Sequence, residues 1–215
     1  MKKLYLITLF IVASAITGFA QDNKYPMGIY MGIGEILEKT PHMAVELTVE
    51  QRTAGNIRAA GGNDYELISA DKSVKKKFIK NEMLAYSDGE TLFLNGNRLK
   101  LQLGYIAVVH SGDYFVFRAA ESVDSKAYKR QKNNAVTMGV LFGAIGGAIT
   151  AASQDLGSRF LYVYDTNDLA VKLIDAASLQ ELLSQHEHLL QAFMNEQNKD
   201  DEGVHLKYLE LLNAQ

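Results

Sequence analysis

Apolar and polar positions alternate along the middle of this chain and recur with helical spacing near its end. In residues 44–51, Val45, Leu47 and Val49 alternate with Glu46, Thr48 and Glu50, the period of a strand with one wet face. Tyr65 and Leu67 resume a strand after residues 52–64, where Gly55, Gly61, Gly62 and Asn63 read as a loop or a long hairpin connection. Residues 83–86 and 91–94 flank Ser87-Asp88-Gly89-Glu90, and Asp-Gly supplies the positive φ angles that a tight hairpin turn requires. After a turn at Asn95-Gly96-Asn97, Leu99, Leu101 and Leu103 alternate with Lys100 and Gln102 as a further strand. Residues 105–109 and 114–117 pair around His110-Ser111-Gly112-Asp113, and residues 160–164 and 169–174 pair around Asp165-Thr166-Asn167-Asp168. Neighbouring strands joined by short turns form an antiparallel meander.

Helical spacing appears at Ile33, Ile36 and Leu37, stopped by Pro41, and dominates the tail. Ser178-x-x-Glu181 and Ser184-x-x-Glu187 read as capping boxes ahead of Leu179, Leu182 and Leu183, then Leu189, Leu190, Phe193 and Met194. Polar residues 195–203 separate a last amphipathic helix bearing Val204, Tyr208, Leu211 and Leu212. The expected fold is α+β: a meander-rich antiparallel sheet from residues 44–119 and 160–174, with helices packed on its apolar face. One domain over residues 21–175 is expected, with the helical segment 176–215 docked on it.

Residues 135–153 stand apart because they carry no charge. Ala135, Gly139, Gly143, Gly147 and Ala151 recur every fourth position, so on a helix each lies about 40° round from the last and together they form a flat stripe. Leu141, Ile145 and Ile149 fall on the opposite side. A helix apolar all round is buried in protein or in a membrane. Each helical glycine costs about 1 kcal/mol against alanine, which close packing along the stripe can recover. Nineteen helical residues span about 28 Å, close to the ~30 Å of a bilayer core. Yet only six of them are Val, Leu, Ile or Phe, and Lys126, Lys129, Arg130 and Lys132 lie on the side that an exported start makes the wrong one for a span. A helix packed within protein is the expectation, and membrane insertion through 135–153 is the alternative.

The compartment is read from the first residues. Lys2 and Lys3, an apolar run over residues 4–13 and Gly18-Phe19-Ala20 have the order of a secretory signal peptide cleaved after Ala20, which places the protein in the periplasm or outside the cell. The chain has 22 basic and 25 acidic side chains, and removing Lys2 and Lys3 leaves the rest more acidic still, which argues against nucleic acid as a partner. It has no cysteine, which excludes an acylated lipoprotein anchor, disulfides and thiolate chemistry.

Candidate chemistry is thin. Gly32-x-Gly34 is followed by Glu35, which departs from a dinucleotide fingerprint and puts a carboxylate where a phosphate would approach. Lys72, Lys75, Lys76, Lys77 and Lys80 read as an edge strand or a solvated helix face before a basic patch for acidic ligands. His110-Ser111 point to opposite faces of an extended chain, and no G-x-S-x-G elbow occurs. His186 and His188, spaced i, i+2 on a helix, diverge by about 200° and do not share an ion. Asp165–Asp168 lacks the glycine and glutamate of a calcium loop and reads as a turn. Catalytic, cofactor-binding and metal-ligating residues are therefore expected to be none, and no cofactor is expected. The residues singled out are the helix-packing stripe Ala135, Gly139, Gly143, Gly147 and Ala151.

Gly28-Ile29-Tyr30 with a short helix after it, Tyr86-Ser87-Asp88-Gly89, the glycine-rich helix, Leu161-Tyr162-Val163-Tyr164-Asp165 and the Leu-rich tail together resemble a family of secreted proteins of unknown function from the Bacteroidota. The likeness covers most of the chain after residue 20. It implies an envelope location and carries no catalytic residues to these positions. The function expected is that of an exported, non-catalytic envelope protein acting through a protein partner or a second copy of itself. The alternatives are a membrane-inserted or pore-associated component and, behind it, an enzyme whose site is assembled only in the fold.

Overall fold

Strand alternation buries both faces of a single curled sheet. The structure, a computed structural model, describes residues 24–123 and 158–215. Within them the order is β1 (Gly28–Tyr30), α1 (Ile33–Leu37), β2 (Thr48–Gln51), α2 (Ala54–Ala60), β3 (Tyr65–Ile68), α3 (Lys76–Asn81), β4 (Ala85–Ser87), β5 (Leu92–Asn95), β6 (Tyr105–His110), β7 (Tyr114–Ala119), β8 (Phe160–Asp165) and β9 (Ala170–Leu173). Then come α4 (Ala176–Leu182), a 3-10 turn (Leu183–Gln185), α5 (Glu187–Met194) and α6 (Glu202–Asn213). The fold is α+β. All strand pairs are antiparallel in the order β1-β4-β5-β6-β7-β8-β9, with the β2–β3 hairpin joined to β6 where Tyr65 pairs with Tyr105.

The β4–β5, β6–β7 and β8–β9 pairs are the hairpins that the short turns predict, while β5–β6 and β7–β8 pair across longer connections. The Asp88-Gly89 turn has the expected geometry, with Gly89 at φ +96°. Register then assigns faces. Tyr30, Ala85, Leu94 and Ile106 form one row across β1, β4, β5 and β6, and Val108, Phe117, Tyr162 and Leu173 continue that face across β6 to β9. Side chains of these rows from β1 through β8 share one inner core with Ile36 and Leu101. If the six steps from β1 to β9 were laid flat they would span about 29 Å. Residues beside both edges nevertheless line one cleft, so the sheet is strongly curled.

The reverse faces are covered separately. Ile29, Tyr86, Phe93 and Tyr105 pack under the β2–β3 hairpin and α3 with Leu47, Leu67 and Ile79. Val116, Leu161 and Val163 pack under the tail through Leu179, Leu183, Phe193, Tyr208 and Leu212. Asn213 ties the tail down like a strand neighbour: its Oδ1 accepts the Tyr114 N–H at 2.9 Å and its Nδ2 donates to the Tyr114 carbonyl at 2.8 Å.

Four local readings change. Residues 44–47 are not strand; the Tyr86 hydroxyl instead accepts the Leu47 N–H and donates to its carbonyl, serving groups that a ladder would have served. Residues 54–60 are a helix rather than a loop, with Thr53 as N-cap and only Ile57 buried, too little apolar signal to show a period. Residues 99–103 are turn rather than strand because Lys100 and Gln102 have φ of +59° and +68°, outside the strand region. The first tail helix begins earlier than the Ser178 box implies: Asp175 is the N-cap and Ser178 its N3 partner. The lysine segment is the solvated helix face, with Ile79 buried and the lysines of α3 exposed. No helix among the described residues is long and apolar enough to cross a membrane.

Candidate functional site

The curl leaves a cleft of about 750 Å³ between the two ends of the sheet, within the ~300–1,000 Å³ of ordinary ligand sites. Its floor is Tyr162 and Tyr164, which alternation on β8 points to the inner face. Their rings stack on Phe117 and Phe115, with centroids 6.2 and 6.3 Å apart. One wall is Phe160 with Val171 and Leu173 of β9; the other is Ile33, Leu84 and Leu99. Arg98, Lys100, Glu121 and Ser122 supply the polar groups. The Tyr162 hydroxyl accepts the Ser122 N–H at 3.1 Å. Tyr164 is only 9% exposed, and its hydroxyl opens to the cleft rather than being buried without a partner. Burial raises the pKa of both phenols.

Two devices hold the walls. The first is the β8–β9 turn, where the Asp165 carboxylate accepts the N–H groups of Asn167 and Asp168 and pairs with the Lys172 ammonium at 3.0 Å. Lys172 also pairs with Asp168 at 2.9 Å, so the turn's carboxylates are used internally, as the turn reading of these residues requires. The second is Asn63, which is 1% exposed. Its Nδ2 donates to the Leu101 carbonyl at 2.6 Å and its Oδ1 accepts the Ala120 N–H at 2.8 Å, joining the start of β3, the β5–β6 connection and the end of β7. Beside it, Asp64 pairs with Arg159, which anchors the entry to β8. Gly62 has φ +92°, and a Cβ there would lie 2.7 Å from the Leu103 carbonyl oxygen, so the approach requires glycine.

Burial works to raise the Asp165 pKa, but hydrogen bonds from Asp168, Lys172 and Asn167 outweigh it and hold the carboxyl below its usual range. The Lys172 ammonium is held above its usual range, first by Asp168 and then by Asp165. A carboxyl depressed on folding contributes stability that is present above its unfolded pKa and lost as pH falls through the folded value. A lysine raised on folding contributes stability that is full below its unfolded value and lost as pH rises through the folded one. Thermal melts should therefore show the wild type losing stability below about pH 4, with a shallower loss for Asp165→Asn. Equal slopes in that window would show that this carboxyl is not coupled to folding.

The other sequence candidates are dispersed. Ala135, Gly139, Gly143, Gly147 and Ala151 lie outside the described residues. Gly32 is on the cleft rim, and Glu35 turns back so that its Oε2 accepts the Met31 N–H at 2.6 Å while Oε1 meets His42 Nδ1 at 3.2 Å. His110 ends β6 and Ser111 begins its turn. His186 is the N-cap of α5 rather than a helical residue, so helical spacing does not govern its ring; its Nδ1 meets Gln215 Oε1 at 2.7 Å. No group of three or more potential metal ligands occurs among the described residues. Asn63 and Tyr164, which shape the cleft, are not singled out by sequence: one reads as a turn residue, the other as a strand position.

The cleft, both its walls and the tail helices fall within residues 28–215, which match the model of a family of unknown function (DUF6563). The chain belongs to this family. Its members' description carries no activity, and it covers every element from β1 to α6. No curated protein and no solved structure matches the chain.

Proposed function

We propose that the protein is an exported, non-catalytic component of the cell envelope, like the secreted Bacteroidota proteins its sequence resembles. In this reading it acts by contact, with a protein partner or a second copy of itself. The observation that carries this is β9. It pairs only with β8 among the described residues, and Leu169 and Leu173 beside and within it are 58% and 47% exposed. An unpaired edge with exposed apolar side chains is a surface that strand addition or an apolar partner covers. The basic, apolar and small-residue order of residues 1–20 supports export, and the spacing of Ala135, Gly139, Gly143, Gly147 and Ala151 at every fourth position of the sequence supports a second contact surface.

Light scattering on residues 21–215 prepared without detergent, alone and as Gly143→Leu, tests the reading. A soluble oligomer that the leucine dissociates is the expected result. Aggregation relieved only by detergent or lipid would favour membrane insertion through 135–153 instead. A monomer whose mass the substitution leaves unchanged would remove self-association.

A further inference from the structure

We propose that the protein binds a phosphorylated sugar in a small basic cavity between β3 and α3, which shares no lining residue with the cleft. β3 meets β6 at the single pair Tyr65 and Tyr105. Past that pair the strands part, and a cavity of about 240 Å³ opens between Leu67 of β3, Leu103 and Gly104 ahead of β6, and Ile79 of α3. It is smaller than the ~300–1,000 Å³ of drug-sized sites, so its occupant is compact. Two buried side chains hold α3 beside the gap. The Tyr105 hydroxyl donates to the Ile79 carbonyl, and Asn95 Nδ2 donates to the carbonyls of Lys80 and Met83 at 3.2 and 2.9 Å. Lys76 and Lys80, four residues apart and so on one side of the helix, both line the cavity.

Arg52 lines it from the end of β2. Its main-chain N–H donates to the Asp64 carbonyl at 2.7 Å and its Nη1 to the Asn63 carbonyl at 2.8 Å, which fixes the guanidinium. A Cβ on residue 62 would lie 2.7 Å from that Nη1, so Gly62 leaves the side chain its place. Neither Arg52 nor Lys80 has a carboxylate within ion-pair distance among the described residues. The one carboxylate lining the cavity is Glu66, and Lys76 meets it at 3.7 Å as an exposed, weakly held pair. Like charges at i, i+4 repel, and an anion placed between them removes that repulsion. A phosphate monoester brings about two negative charges near pH 7 and three acceptor oxygens, which cations arriving from two elements can share. A planar carboxylate, by contrast, is met in full by one guanidinium. Glu66 would repel a bare anion, but it accepts hydroxyl groups, so an occupant with O–H donors beside its phosphate gains a contact there. Buried Leu67, Ile79 and Tyr105, with Leu103 47% exposed at the rim, give the carbon face of such a ring a surface to pack on. No residue of β9 or of the stripe takes part, so the cavity and the contact reading can fail separately.

The test is calorimetric titration of residues 21–215, in phosphate-free buffer, with glucose 6-phosphate, glucose, glucuronate and inorganic phosphate. Saturable binding of glucose 6-phosphate is expected, with each of the other three at least about tenfold weaker, the scale of a charge-assisted pair. Lys80→Glu should weaken it by about tenfold and leave the melting temperature unchanged, because the side chain is exposed. Lys77→Glu makes the same charge change on the same helix but does not line the cavity. It should cost about twofold at most at 0.15 M salt, where distant charges are screened. Leu103→Trp, at the exposed rim, should fill the cavity and abolish saturation; if that variant melts early, Lys80→Glu decides. No saturable binding, or equal losses from Lys77→Glu and Lys80→Glu, overturns the site. Glucose, glucuronate or inorganic phosphate binding as tightly as glucose 6-phosphate overturns the sugar phosphate as its occupant. The scattering mass of the same samples reports the contact reading independently.

Discussion

Phe117→Ala is expected to lower the free energy of unfolding by about 3–5 kcal/mol. Phe117 is fully buried at the centre of β7, stacks on Tyr162 and shares the inner-face row that reaches Leu173. Removing the ring costs both its transfer free energy and the cavity left behind, because strands paired on both sides cannot collapse into the gap. Denaturant unfolding should show a lower midpoint at an unchanged m-value. Arg118, one residue on, points the other way and pairs with Glu202 at the surface. Arg118→Ala should therefore stay within about 1 kcal/mol of wild type. Similar costs at both positions would contradict the assignment of faces. Because Tyr162 is the cleft floor, Phe117→Ala should also weaken any ligand the cleft holds.

Asn63→Ala should cost about 1–3 kcal/mol for each main-chain group it leaves without a partner. Those groups are the Leu101 carbonyl and the Ala120 N–H, both in buried residues. Water cannot replace the amide without opening the junction between β3, β7 and the β5–β6 connection. Asn63→Asp separates the two contributions, since a carboxylate still accepts from Ala120 but repels the Leu101 carbonyl. Hydrogen exchange should then quicken at residues 98–103 in both variants and at Ala120 chiefly in the alanine one. Unchanged protection at both places would mean that Asn63 is not the peg of the cleft wall. The Leu99 wall hangs from this connection, so the effect reaches the candidate site.

Phe117 and Asn63 differ in how legible they are along the chain. Phe117 belongs to an alternating run, and alternation by itself marks one side of a strand as buried. The hairpins at Asp88-Gly89 and Asp165–Asp168 are readable because their turns are made by adjacent residues. Asn63 is not, because its partners lie 38 and 57 positions away. Residues 99–103 carry the strand alternation yet form a turn. Their conformation is decided by contacts such as Asn63 to Leu101 rather than by local propensity.

By itself the sequence determined the α+β class, the β4–β5, β6–β7 and β8–β9 hairpins and the helical tail, because each depends on patterns within about twenty residues of chain. Which strand lies beside β1, how β2 and β3 join β6, and how tightly the sheet curls were decided only by the tertiary structure. These depend on side chains far apart in sequence competing to bury the same surface. The cleft belongs to the second kind. No residue in it announces a site; the site exists because the curl brings the ends of the sheet together with apolar walls on either side.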